Sequence, residues 1–112
     1  MDIATARTIV LADFNAEEYD HFGKLAFRHK AAKAGGKPGK TFMTLWIEEG
    51  VAVLLLDQEQ QADLVAHHAD AFEPHKSKWG EKGATVMHLE RISEKPFREA
   101  VGIAHTGTLK KK

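Results

Sequence analysis

The sequence predicts an α+β fold: a single compact α-β-α domain over residues 1–112, with an antiparallel sheet covered on one face by N- and C-terminal helices. Three observations predict it. The chain has 112 residues, 43% apolar and 29% charged, enough for one core and too few for two. Helical periodicity is confined to one stretch near each end and one in the middle. Short β-branched and aromatic runs, separated by Gly and Pro turns, lie between them.

Taken in order, residues 3–13 space Ile3, Ala6, Val10 and Leu11 by about 3.6 residues, with Phe14 just beyond and Thr5, Arg7 and Thr8 turned outward. That is a first amphipathic helix. Residues 15–23 are polar and aromatic by turns. Lys24–His29 reads as a strand, Leu25 and Phe27 on one face and Arg28 on the other. Gly35-Gly36 and Pro38-Gly39 make residues 30–40 an exposed hairpin connection, since both residue types break a ladder. Thr41–Ile47 and Val51–Leu56 are strands around a Glu48-Glu49-Gly50 turn, the first placing Thr41, Met43, Leu45 and Ile47 opposite Phe42, Thr44 and Trp46. Asp57 and Gln60 form a capping box for a helix with Leu64, Val65, His68 and Phe72 along one face, ending near Asp70. Residues 73–83 read as an irregular loop or twisted strand. Ala84–Leu89 is a strand, Thr85, Met87 and Leu89 alternating with Val86 and His88. Ser93 as N-cap and Pro96 in the first turn open a last helix whose inner face is Phe97, Ala100, Val101 and Ala104, running to Gly107.

Composition excludes several function classes. Without cysteine there are no disulfides, thiolate nucleophiles or thiolate metal sites. The longest apolar run, Val51–Leu56, is far short of the about 20 residues of a membrane span, and the N-terminus lacks a signal pattern, so a cytoplasmic location is expected. No nucleophile elbow, phosphate loop or His-Glu-x-x-His is present, so no residue is assigned a catalytic role, and no cofactor is expected. Adjacent His67 and His68 diverge by about 100 degrees on a helix and cannot share one metal ion.

The formal net charge of zero conceals blocks of one sign. Residues 1–20 sum to −4, residues 21–47 carry six cations and no acid, residues 48–73 sum to −7, and residues 74–112 to +5. Blocks this long create local potential even when the total vanishes.

The run His21-Phe22-Gly23-Lys24-Leu25-Ala26-Phe27-Arg28, the strand opening Lys40-Thr41-Phe42-Met43-Thr44-Leu45, and Val51–Leu56 followed by Asp-Gln-Glu-Gln-Gln resemble the MmcQ/YjbR family of small bacterial proteins. Ala71-Phe72-Glu73-Pro74, Lys78-Trp79-Gly80-Glu81-Lys82-Gly83 and Thr85-Val86 are similar to its second signature. The resemblance spans nearly the whole chain and implies a CyaY-like fold and a non-enzymatic, DNA-binding function. Residues 31–39 depart from it, forming a longer and more lysine-rich connection than the family's. An iron-binding acidic ridge of the frataxin kind is not expected, because the strand read as first, Lys24–His29, is basic.

Two cationic segments are the candidate nucleic-acid contacts. Lys24, Arg28, Lys30, Lys33, Lys37 and Lys40 lie on a strand, its connection and the next strand. Lys76, Lys78, Trp79 and Lys82 lie in a Gly-containing turn, where lysines supply charge and an indole can stack on a base. Lysines outnumber groups suited to reading base edges, so the expected partner is double-stranded DNA with little sequence preference. Each segment also has a structural use: edge lysines discourage strand pairing, and Trp79 can pack on the sheet. A second reading makes the open sheet face, with Trp46, Arg28 and His88, a site for a protein or small ligand, and a homodimer through that face is a third.

Overall fold

The computed structural model describes residues 1–21, 23–31, 35–36 and 38–110, the side chains of Leu109 and Lys110 excepted. The first helix, α1 (Ile3–Asp13), begins where the Asp2 carboxylate accepts from the Thr5 amide at 2.7 Å, satisfying one of the donors a helix start leaves open. Its inner face is Ala6, Ile9 and Val10; Leu11, expected inside, is exposed. Six strands follow: β1 (Ala16–His21), β2 (Lys24–His29), β3 (Thr41–Trp46), β4 (Val51–Leu55), β5 (Phe72–Pro74) and β6 (Ala84–His88). They form one antiparallel sheet in the order β1-β2-β3-β4-β6-β5.

Strand β1 has no counterpart in the sequence reading. It is an edge strand whose Glu17, Glu18 and Asp20 give no apolar alternation, and it is held by pairing with β2 from Ala16–His29 to His21–Lys24. Arg7 of α1 forms an ion pair with its Glu18. The first strand is therefore acidic, not basic, and the ground given against a metal-binding ridge falls. Among the described residues, however, no group of three His, Asp or Glu side chains could hold a metal ion.

The register slips between Phe27 and Arg28, which face Met43 and Thr41 respectively. This irregularity gives β3 one residue more than β2 and corrects the expected alternation: Phe42 is fully buried with the core instead of lying opposite Met43. Ile47, read as the last residue of the strand, lies past its end and is 58% exposed. Gly50 closes the β3–β4 turn at φ +68°, a conformation that favours glycine.

Helix α2 (Gln58–His67) starts with the expected capping box, Asp57 Oδ1 accepting from the Gln60 amide at 2.7 Å and Gln60 Oε1 from the Asp57 amide at 3.0 Å. It ends three residues earlier than the sequence suggests. The amides of Ala71 and Phe72 both donate to the His68 carbonyl and turn the chain into β5, so Phe72 enters the core from a strand. A one-turn helix, α3 (Lys78–Glu81), occupies part of the stretch read as irregular, with Ser77 Oγ accepting from the Trp79 amide.

The last helix, α4 (Glu94–Lys110), buries Phe97, Ala100, Val101 and Ala104, the positions its periodicity marks, and runs past Gly107. Pro96 falls in its first turn, where a missing N–H costs nothing. These residues pack with those of α1, with Leu64 of α2 and with one face of the sheet: Phe27, Met43, Leu45, Ala52, Leu54, Met87 and Phe72. Burial of each large side chain contributes about 1.5–3 kcal/mol. Alternation turns the remaining strand residues to the other face, which among the described residues no helix longer than one turn covers. That uncovered face is where the polar and aromatic side chains of the strands collect.

Candidate functional site: the open sheet face

Period-two alternation and the antiparallel register place Glu17, Tyr19 and His21 of β1, Lys24 and Arg28 of β2, Thr44 and Trp46 of β3, Val51 and Val53 of β4, Glu73 of β5, and Val86 and His88 of β6 on this face. Trp46 is at its centre. The indole Nε1–H donates to Thr44 Oγ1 at 2.9 Å, which fixes the ring, and Lys24 Nζ lies 4.1 Å from the ring centroid.

Trp79 reaches the same place from the other side. The 75–83 turn folds over the sheet because α2 ties it down: Gln61 Nε2 donates to the carbonyls of Gly80 and Ala84, and Gln58 Nε2 to that of Glu81 at 2.6 Å. The imidazole of His75 stands between the two indoles, edge-on to both, with centroids 5.6 Å from Trp46 and 5.8 Å from Trp79. Its Nδ1 accepts from the Ser77 amide and lies 2.8 Å from Ser77 Oγ. His21, Lys24, Thr44, Trp46 and Trp79 line an open cavity of about 190 Å³. A second cavity of about 350 Å³ shares Trp46 and is walled by Val53, Val86, Glu73, His75 and His88.

At the other end of β2 the Arg28 guanidinium lies 4.3 Å over the Tyr19 ring, with Nη2 3.7 Å from Glu17. Its Nε is buried without a hydrogen-bond partner among the described residues. Tyr19 is anchored by a hydrogen bond between its hydroxyl and that of Thr41. His88 Nε2 bonds Glu73, and this contact holds the Glu73 carboxyl below its ordinary range.

The sequence-marked residues are thus distributed unevenly. Lys24 and Trp79 line one cavity, Lys76 borders the other, and Arg28 stacks on Tyr19. Lys78 and Lys82 are exposed on the Trp79 turn; Lys30 and Lys40 are exposed at the tip side of the β2–β3 hairpin. Lys33 and Lys37 lie outside the described residues. Arg28–Thr41, Leu55–Ala84 and Pro74–Thr85 pair at the same end of the sheet, so both cationic connections leave from that end. His75 and Tyr19 were missed. The available signal for Tyr19 was Glu17-x-Tyr19-x-His21, a two-residue alternation without apolar members.

Comparison of the chain with protein-family models, with curated proteins and with solved structures found no match. Among the described residues no helix is long and apolar enough to cross a membrane.

Proposed function

We propose that this chain is a non-enzymatic nucleic-acid-binding protein whose contact surface is the open sheet face and the lysine-rich connections around it. The observation that carries the reading is the convergence of Trp46, Trp79 and Lys24 on one cavity, bordered by a turn bearing the exposed Lys76, Lys78 and Lys82. Lysines on turns contact phosphate without reading sequence, and indoles on a sheet offer a surface to bases of any identity. The resemblance to a family labelled DNA-binding points the same way. Binding is tested by titrating a labelled oligonucleotide at two ionic strengths. With about four lysines each neutralising a phosphate, log K falls against log salt with a slope of about −3 to −4. No binding at the lower ionic strength removes the proposal.

A second reading is favoured by the cavity of about 350 Å³ at Trp46, Val86 and His88. This volume lies within the about 300–1,000 Å³ typical of small-molecule sites. A planar ligand there would make the chain a small-ligand binding module. Salt-independent binding that competes with no oligonucleotide would support that reading over the first.

A further inference from the structure

We infer that the smaller cavity is a slot for one unstacked base, so that the protein selects single-stranded over duplex nucleic acid; this rests on the nucleic-acid reading above and specifies its ligand. The cavity is an open cleft of about 190 Å³, below the about 300 Å³ at which drug-sized sites begin, a size that suits a single flat ring system. Its walls are chemically suited to such a ring. Trp46 and Trp79 are the two tryptophans of the chain, and they reach this cavity from strands and turns more than thirty residues apart.

His75 sets their separation. It meets both indoles edge-on, at interplanar angles of 61° and 89°, and Ser77 holds its Nδ1, so the indoles are spaced by a pinned ring and do not collapse onto each other. Trp79 remains 43% exposed, an unusual cost for an indole that served packing alone.

The charges around the slot match a strand running across the sheet. Lys24 Nζ sits on the Trp46 ring within reach of the cavity, and Arg28 lies four residues along β2, about 13 Å away at strand spacing. The Arg28 guanidinium is flattened on Tyr19, leaving Nε unbonded, and its contact with Glu17 is longer than a hydrogen bond. Lys24 can take a phosphate next to a base in the slot, and Arg28 one further along the strand. Of the acids near this face, Glu73 borders the larger cavity, Glu49 borders that cavity and the pocket beside Lys24, and Glu17 lies 3.7 Å from Arg28; none of the three lines the slot itself. In a duplex the base faces are buried in the stack, so a slot on a sheet surface can engage a base only from a strand that exposes it.

The test is fluorescence anisotropy of a labelled twelve-residue oligothymidylate, the same length of duplex, and an oligothymidylate with abasic positions, at low salt with the full chain. The expected result is tighter binding of the single strand than of the duplex by at least about tenfold, with quenching of tryptophan emission. Trp79→Ala should weaken single-strand binding roughly 5- to 100-fold, the range for one lost base-stacking contact, and weaken duplex binding by a clearly smaller factor. The abasic strand should bind the wild type as weakly as the intact strand binds the variant. Lys82→Ala, which touches charge and not the slot, should weaken both forms alike. Equal affinity for the two forms, or a Trp79→Ala variant indistinguishable on the single strand, overturns the slot while leaving nucleic-acid binding in place. Failure of every oligonucleotide to bind removes both.

Discussion

Replacing Gly80 with alanine examines the piece of structure that brings Trp79 to the sheet. A Cβ at position 80 would stand 1.8 Å from the His75 carbonyl oxygen, 2.7 Å from its carbon and 2.9 Å from the His75 nitrogen. All three are backbone atoms, so no rotamer change relieves the overlap, and the turn must move by over an ångström. That movement stretches the bonds that dock it: Gln61 Nε2 to Gly80 O at 2.9 Å, Gln58 Nε2 to Glu81 O at 2.6 Å, and Gly80 N to Ser77 O at 2.9 Å. At about 0.5–1.5 kcal/mol net for each, the expected loss is about 2–4 kcal/mol. Undocking the turn is the alternative to tolerating the clash, so the docking energy is also the ceiling. Urea unfolding followed by far-ultraviolet circular dichroism measures the loss, and tryptophan emission should shift to longer wavelength before the global transition. A Gly80→Ala variant within about 0.5 kcal/mol of wild type, with unchanged emission, would refute the claim that this close approach seats the turn.

Gly102→Ala is expected to act in the opposite direction. Its Cβ would meet only Phe14 Cε1 at 3.8 Å, an ordinary contact, and helix α4 should gain about 0.5–1 kcal/mol, read as a raised urea midpoint. The buried His29 gives a pH prediction. Its Nε2 lies 2.8 Å from Thr108 Oγ1, which itself donates to the Ala104 carbonyl, so neutral His29 donates from Nε2. Burial first, and then the facing His105 ring, hold its pKa below the usual 6.5. A neutral form favoured by folding contributes fully above pH 6.5, and the contribution is lost as pH falls from there through the folded-state value. Wild type should therefore lose more stability between pH 7 and pH 5 than His29→Phe; an equal loss of unfolding free energy in the two proteins, from urea titrations at the two pH values, would contradict this.

How much of this was legible in the sequence depended on which force decided each element. Helix α4 was readable because Phe97, Ala100, Val101 and Ala104 repeat at helical spacing and all four are buried. Helix α2 was readable at its start, where Asp57 and Gln60 act locally, and misread at its end, where a carbonyl of His68 accepts two amides and stops the helix before Pro74 can. Strand β1 was invisible because its stability comes from pairing with β2, while half of its own residues are carboxylates. Phe42 was assigned to the wrong face because it is the extra residue of β3 where the pairing with β2 slips, and strict alternation within β3 does not mark that slip. For the site, Lys24, Arg28 and Trp79 were found from charge and signature. Their meeting with Trp46 through His75 depends on how α2 ties down a turn some twenty residues later, a long-range matter that spacing does not encode.

The two margins of the sheet restrict how any partner can approach. One margin, β1, presents carboxylates along its length, and the other, β5, is three residues long and ends in Pro74, which has no amide hydrogen to offer. A neighbouring polypeptide seeking to extend the ladder would find repulsion on one side and a truncated template on the other. Recognition is thereby steered away from backbone zippering and toward the side chains of the uncovered surface, which also protects a crowded solution of this chain against growth of sheets from molecule to molecule.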